Sequence, residues 1–240
     1  MHNDRSATVR RAWPVAGIQR LAIHEVDGSV TVEAAPMQEI TLVAEAHGDL
    51  EPKKGAENEG LFETTIDGDT LSVGRHEKRE FHFFWDRPQT RIDYTIKVPP
   101  SVSLEVKTVN GRIATRGSDA QSAYVTVNGT IDVETSGRNG FSAKTVNGKV
   151  RAKFTQAFNG ASMKTVNGGV EAFLPQTASF SVDLAQVNGD FEASFPLSIH
   201  SHPGSRRVSG DINGGAHELK IVTVNGDIEL MRLAEASPRM

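Results

Sequence analysis

Hydrophobic and polar residues alternate along the second half of this chain, in short runs that restart at regular intervals. Alternation with a period of two is typical of strands that bury one face and expose the other. Each run ends at the tetrapeptide Thr-Val-Asn-Gly or a degenerate copy of it, and a new run follows. The pattern therefore predicts short strands separated by sharp corners. The copies lie at 108–111, 126–129, 145–148, 165–168, 186–189, 207–210 and 223–226.

The spacing of these corners indicates the architecture. Successive valines are about 16–21 residues apart, which is too short for repeats built from paired helices. Two strands of about six residues and two turns fill that length. The chain is therefore predicted to be all-β and to form a single-domain β-solenoid, made of stacked two-strand coils with Val-Asn-Gly corners.

Stacking in chain order at about 4.8 Å per coil would spread the seven corners over roughly 29 Å. The corner asparagines would then lie above one another, and each side chain could bond the amide of the next. Asparagine and glycine are expected at these corners because both tolerate positive φ. The asparagines concerned are Asn110, Asn128, Asn147, Asn167, Asn188 and Asn225.

The pattern is weaker before residue 101, where Val26-Asp27-Gly28 and Ile66-Asp67-Gly68 are interpreted as faded copies of the corner. The first half is therefore interpreted as degenerate coils of the same solenoid. The predicted divisions are a flexible leader over 1–14, a solenoid over 15–232 (capping coils over 15–100, regular coils over 101–232) and a tail over 233–240.

The corners from Val109 onward, the lead-in Ile96–Pro99 and the closing run Leu219–Leu230 carry a family resemblance. The chain resembles the bacterial putative-adhesin family of β-strand-repeat proteins, a family of domains of unknown function, over roughly residues 18–232. The resemblance implies a β-solenoid, which in that family is usually exported to the cell envelope. It also implies that no catalytic residues are established.

Composition and charge exclude some classes of function. The chain has 240 residues, a formal net charge of -4 and no cysteine, so disulfides and thiolate chemistry are excluded and a nucleic-acid footprint is not indicated. No apolar run has the length of a signal peptide or a transmembrane helix. The location is therefore expected to be the envelope or the exterior if a signal was removed, and otherwise the cytoplasm.

One aromatic segment is the candidate contact surface. Phe81, Phe83 and Trp85 would share one face of a strand, and Phe84 would lie on the other. A strand that is apolar on both faces is either buried or a surface for a partner. The segment therefore predicts contact with a protein or a glycan, and the alternative is a strand that caps the solenoid.

Three aspartates follow corner glycines, at Asp190, Asp211 and Asp227. If the corners stack, these carboxylates would form a column able to share a calcium ion, which prefers oxygen ligands. The alternative is a solvated acidic face. No cofactor is predicted.

The sequence favours a non-enzymatic, adhesin-like binding protein of the cell envelope or surface. A structural protein that self-associates through the ends of its solenoid is the alternative. A polysaccharide-active enzyme is the third hypothesis, because Asp132 with Glu134, or Glu171 with Glu192, would be candidate carboxylate pairs.

Overall fold

The computed structural model describes residues 5–48, 61–74, 90–202 and 205–233. Within these ranges the chain forms two sheets around one hydrophobic core and contains no helix, so no helix there is long and apolar enough to cross a membrane. Strands are numbered in chain order. In spatial order, the described part of sheet A has ten strands: β1 (Arg5–Pro14), β4 (Glu39–Gly48), β7 (Thr90–Val98), β3 (Val30–Ala34), β9 (Ile113–Ser118), β11 (Ile131–Thr135), β13 (Val150–Phe154), β15 (Val170–Leu174), β21 (Ile228–Arg232) and β17 (Phe191–Ala193).

Sheet B faces sheet A across the core. In spatial order, its described part has eleven strands: β18 (Ser198–His202), β19 (Ser205–Ile212), β16 (Phe180–Asn188), β20 (His217–Asn225), β14 (Ala161–Lys164), β12 (Phe141–Lys144), β10 (Ser122–Val125), β8 (Ser103–Lys107), β2 (Arg20–His24), β6 (Thr70–Gly74) and β5 (Glu63–Asp67).

A regular coil consists of one strand of sheet B, a corner and one strand of sheet A. Strand β10 leads through Thr126–Gly129 into β11, and β12 leads through Thr145–Gly148 into β13. Neighbouring coils pair in parallel and in register, with Ile131 beside Val150 in sheet A and Phe141 beside Ala161 in sheet B. The predicted all-β solenoid is thus confirmed.

The core is aliphatic near the corners and aromatic toward the opposite turn of each coil. Phe154 is fully buried, and its ring lies 5.6 Å from Phe141 and 4.9 Å from Phe158. Phe158 continues to Phe180 at 5.5 Å, and Phe180 to Phe195 at 5.2 Å. This row of rings fills the side of the core that lies away from the corners.

The coils do not stack in chain order. Strand β20 lies between β14 and β16, and β21 lies between β15 and β17, so the last coil of the chain is inserted before the preceding one. Strand β20 can insert at this point because β19 occupies only the other edge of β16, where it pairs antiparallel. The edge of β16 that faces the stack therefore remains available to β20.

Two predicted corners are wrong. Arg207–Gly210 lies inside β19, which runs antiparallel to β16 and forms a hairpin with β18. Ile66-Asp67-Gly68 forms the tight turn of the antiparallel β5–β6 hairpin, in which Asp67 lies opposite Thr70. Both segments carry the residue types of a corner, but each lies in an antiparallel pair rather than in a coil.

The predicted flexible leader is wrong for residues 5–14, which form β1. This strand pairs antiparallel with β4 along its whole length. Arg5 lies opposite Gly48 at one end, and Pro14 lies opposite Glu39 at the other. Val9 is buried and Trp13 packs against the core, so the strand has an apolar face that the intervening arginines obscure. Strands β4 and β7 are also antiparallel, so residues 15–100 are coils only in part.

Candidate functional site

The corner asparagines form one continuous ladder of side-chain hydrogen bonds. Each Nδ2 donates to the side-chain oxygen of the neighbouring corner over 2.7–2.9 Å. The ladder begins at Asp27, which accepts from Asn110 and needs no donor of its own. A carboxylate therefore fits at this end of the ladder and nowhere else in it. In spatial order its members are Asp27, Asn110, Asn128, Asn147, Asn167, Asn225 and Asn188.

A second ladder runs beneath the asparagines. The corner threonines are buried, and each hydroxyl donates to the carbonyl of a corner glycine in the next coil over 3.0–3.4 Å. At the degenerate corner Gln186 replaces threonine, and its Nε2 donates to the Gly226 carbonyl over 2.8 Å. The backbone of the corner edge is therefore held at every coil.

Glu25 occupies the threonine position of the first corner, and sequence reasoning missed it. Its side chain is buried, and Oε1 accepts the amide proton of Val26 over 2.9 Å while Oε2 accepts the hydroxyl proton of Tyr94 over 2.9 Å. Aligning Glu25-Val26-Asp27-Gly28 with Thr-Val-Asn-Gly would have identified it. The carboxylate closes the threonine ladder at this end.

Close packing, more than positive φ, explains the corner glycines. A Cβ atom at these positions would lie 1.8–2.3 Å from a backbone carbonyl oxygen of the neighbouring coil. Among the described non-glycine residues only Asn213 has positive φ, so the expectation that the corner asparagines need it is wrong. Asparagine is required for its amide, and glycine for the space that its missing Cβ leaves.

The valine of every corner points into solvent. These side chains are 36–46% exposed and follow one another at the spacing of adjacent strands, so the row is about 29 Å long. They lie beside the exposed asparagine ladder, and these two rows together carry no charge apart from Asp27 at one end. We call this row the corner ridge, and in spatial order it comprises Val26, Val109, Val127, Val146, Val166, Val224 and Val187.

The outer face of sheet A, in contrast, carries several ion pairs. Arg112 pairs with Asp132 at 2.7 Å, and Lys153 pairs with Glu134 at 3.4 Å. Glu171 pairs with both Lys149 and Arg151, the latter at 2.6 Å. These four cations of the face are therefore already paired with its carboxylates.

The candidate carboxylate pairs of the enzyme hypothesis lie within this face. Asp132 and Glu134 are two residues apart on β11, and each is bonded to a cation. Glu171 and Glu192 are separated by Glu229 on the intervening strand. Neither pair therefore consists of two free carboxylates side by side.

The ion pairs of Glu171 predict a pH-dependent contribution to stability. Burial would raise the pKa of Glu171, but hydrogen bonds and positive charge from Arg151 and Lys149 outweigh it, so the pKa lies below its ordinary value of 4.5. A lowered pKa in the folded state stabilises the fold above the unfolded-state pKa, and the gain is lost as pH falls through the folded-state pKa. We expect Glu171→Gln to lower the free energy of unfolding by about 1 kcal/mol at pH 7.

Urea unfolding of Glu171→Gln and the unsubstituted protein from pH 3 to pH 8 measures this contribution. The difference between them should be constant above about pH 5 and shrink below about pH 4. Glu134→Gln is the matched control, because its exposed ion pair is expected to contribute less. A difference that persists unchanged at pH 3 would contradict the assignment.

The predicted calcium column does not form. Asp190 and Asp227 are neighbours, and the Asp190 amide donates to Asp227 Oδ1 over 2.8 Å. Asp211 lies on antiparallel β19 opposite Ser181, at the other end of β16. In the part of the chain that the structure describes, no group of three histidine or acidic side chains could hold a metal ion. The aromatic segment Phe81, Phe83, Phe84 and Trp85 lies outside the described residues.

Several solved structures resemble this fold at low sequence identity. A "putative cell adhesion protein" from Clostridium sporogenes is 7% identical with a TM-score of 0.44, and the match covers 95% of this chain and all of that one. A "putative adhesin" from Bacteroides fragilis is 8% identical with a TM-score of 0.38, covering 95% and 97%. A "putative lipid binding protein" from Parabacteroides distasonis is 10% identical with a TM-score of 0.35, covering 97% and 98%. No curated protein matches the chain.

A family model identifies the repeat itself. The match covers residues 89–231, which include the regular coils, the ladder asparagines from Asn110 onward and all of the corner ridge except Val26. It confirms the resemblance to a β-strand-repeat family of unknown function. The chain belongs to the Toastrack family, DUF4097.

Proposed function

We propose that this protein is a non-enzymatic, adhesin-like binding protein of the cell envelope or surface, and that the corner ridge contacts its partner, a protein or a glycan. The observation that carries the proposal is the unbroken row of seven exposed valines along one edge of the stack. An apolar row of this length on a protein surface is typical of an interaction site. The envelope location is the one that the family resemblance implies.

The corner itself does not require exposed valine. Threonine, asparagine, glycine and the backbone make the corner hydrogen bonds, as at Thr145, Asn147 and Gly148. A polar β-branched residue would serve equally well as an exposed strand residue. Valine nevertheless occupies this position at each of the seven stacked corners, including the degenerate ones at Val26 and Val187. The apolar character of the edge therefore points to contact with a partner.

The ridge is also organised before any partner arrives. The backbone N–H of five corner asparagines donates to a valine carbonyl of the neighbouring coil, as that of Asn128 does to Val109 over 2.7 Å. Valine has a single side-chain torsion with few allowed states. Binding to such an edge costs little conformational entropy, because backbone and side chains are already ordered.

Substitution of three central valines tests the proposal. The triple variant carries Val127→Thr, Val146→Thr and Val166→Thr. Each threonine has nearly the shape of the valine that it replaces, but it presents less apolar surface. Each valine is already more than half-buried, so covering the remainder contributes about 0.5–0.8 kcal/mol. We expect the three changes together to weaken binding about 10- to 50-fold. The measurement is adhesion of the purified protein to envelope preparations and to protein- and glycan-coated surfaces.

The control variant is Ile66→Thr, which removes an apolar side chain that is 57% exposed and lies on the β5–β6 hairpin. It should bind as the unsubstituted protein does. Thermal unfolding of the triple variant should remain close to that of the unsubstituted protein, which excludes a folding defect. Adhesion of the triple variant equal to that of the unsubstituted protein would contradict the proposal.

A further inference from the structure

The chain contains nine Asn-Gly dipeptides, and six of them are corners of the asparagine ladder. Asparagine followed by glycine is prone to spontaneous deamidation, because glycine has no side chain to shield its backbone nitrogen. That nitrogen attacks Cγ of the asparagine before it. In a folded protein the attack requires a local opening that frees the glycine N–H and lets the two atoms approach. The hydrogen bonds of each corner therefore decide which asparagine reacts.

The reaction consumes only water. Hydroxide removes the proton from the glycine nitrogen, which then forms a bond to Cγ of the asparagine. The bond between Cγ and Nδ2 breaks, and Nδ2 takes a proton from water and leaves as ammonia. Water then opens the resulting cyclic imide at one of its two carbonyl carbons. The product is aspartate or isoaspartate, and in isoaspartate the main chain runs through the former side chain.

Five of the six corners are protected from this reaction by the next coil. Each of their glycine N–H groups donates to an asparagine carbonyl of that coil over 2.8–3.0 Å, as Gly226 does to Asn188. Each asparagine also takes part in two side-chain hydrogen bonds, one as donor and one as acceptor. The glycines themselves are half-buried. The protected asparagines are Asn110, Asn128, Asn147, Asn167 and Asn225.

The sixth corner, Asn188-Gly189, is the open end of the ladder. Among the described residues, none accepts from the Gly189 N–H and none donates to the Oδ1 of Asn188. The side chain keeps one ladder bond, from its Nδ2 to Asn225 Oδ1 over 2.8 Å. Arg206 donates to the Gly189 carbonyl over 3.3 Å and leaves the nitrogen uncovered. Gly189 is exposed, so hydroxide can reach that nitrogen.

We propose that Asn188 is a site of spontaneous deamidation and that modification of the ladder begins there. Asn225 provides the closest comparison, because both asparagines lie in the sequence Val-Asn-Gly-Asp. Local sequence therefore favours neither, and the two corners differ in whether a further coil covers them. With two hydrogen bonds fewer to break, Asn188 should react about tenfold faster or more. Deamidation at Asn188 depends on the corner geometry alone and not on the function proposed for the corner ridge.

The modification would loosen the end of the ladder. Aspartate at position 188 has no N–H to donate, so its carboxylate would face the Oδ1 of Asn225 as a second acceptor. Isoaspartate lengthens the main chain and displaces the carbonyl that accepts from Gly226. Either product opens the corner of Asn225, which becomes the new end. Deamidation should therefore continue to Asn225 and then to Asn167, in spatial order rather than chain order.

The other three Asn-Gly pairs, at Asn139, Asn159 and Asn213, lie outside the ladder. Their side-chain nitrogens donate to backbone carbonyls, as that of Asn213 does to Ala178 over 2.9 Å. These pairs have no counterpart of the same sequence beneath a further coil. The comparison is therefore made within the ladder, and peptide mapping resolves the three pairs separately.

The test is incubation of the folded, unsubstituted protein in mildly alkaline buffer, followed over time by peptide mapping with mass spectrometry. Digestion in oxygen-18 water marks any deamidation that occurs during the digestion itself. Asn188 should be converted about tenfold or more faster than Asn225. In concentrated urea, where the corners are lost, the two should react within about twofold of each other, since their flanking residues are the same.

Two outcomes would overturn the proposal. One is equal conversion of Asn188 and Asn225 in the folded protein, because the further coil would then give no protection. The other is a preference for Asn188 that persists unchanged in urea, because it would then arise without the fold.

The variant Asn188→Asp tests whether the reaction continues along the ladder. It reproduces one product of deamidation, so Asn225 should be converted about fivefold or more faster than in the unsubstituted protein. The matched control is Asn139→Asp, which makes the same change in a turn outside the ladder and should leave the rate at Asn225 unchanged. Melting curves establish that both variants are folded during the incubation. An unchanged rate at Asn225 in Asn188→Asp would overturn the continuation from Asn188 to Asn225.

Discussion

Replacement of Gly129 by alanine is expected to destabilise the protein by about 3 kcal/mol or more. The new Cβ would lie 1.9 Å from the carbonyl oxygen of Gly111 and 2.6 Å from its carbonyl carbon. Neither backbone can withdraw easily. The Gly129 amide donates to Asn147 over 3.0 Å, and the Gly111 carbonyl accepts from Thr126 over 3.2 Å.

Urea unfolding of Gly129→Ala, with Gly68→Ala as the control, separates the two reasons why a position requires glycine, which are a close contact and a left-handed φ. Gly68 has a φ of +58° in the β5–β6 turn, and a Cβ there would meet nothing within 4 Å. Alanine at this position should cost about 1 kcal/mol through its backbone conformation alone. Gly129 does not have a left-handed φ, so its cost comes from the contact. Equal losses at the two positions would contradict the close approach of the corners.

The corners and the regular strands could be predicted because their signals are local. The alternation in β12 and β13 and the residues between them specify one coil without reference to the rest of the chain. The order of the coils has no such signal. The corners at Val187 and Val224 offer almost the same groups to the corner at Val166, so the sequence does not distinguish them as neighbours.

The antiparallel elements were missed for a related reason. Val208-Ser209-Gly210 has the composition of a corner, but the hairpin formed by β18 and β19 determines its direction. In β1 the exposed Arg10 and Arg11 obscure the alternation that buries Val9. Direction and pairing depend on distant partners, and the local pattern contains neither.

Part of the candidate site could be predicted from the sequence. Inward positions at Val106 and Thr108 imply that Lys107 and Val109 point outward, and the same alternation applies at each regular corner. The insertion of the last coil depends on the pairing of distant strands and became visible only in the structure.

The absence of cysteine permits a direct test of the ridge itself. The corner ridge is one unbroken row in which Val224 lies between Val166 and Val187. Neighbouring positions are about 4.8 Å apart, within the Cα separation that a disulfide spans, whereas alternate positions are about 9.6 Å apart. All three side chains are exposed, and the changes leave the asparagine ladder in place.

The measurement is oxidative cross-linking of two double variants, followed by mass spectrometry under non-reducing conditions. Val166→Cys/Val224→Cys should form an intramolecular disulfide in nearly all molecules, and Val166→Cys/Val187→Cys should form almost none. The opposite result would mean that the coils stack in chain order. In that case the inserted coil would be wrong, and Val187 rather than Val224 would follow Val166 in the corner ridge.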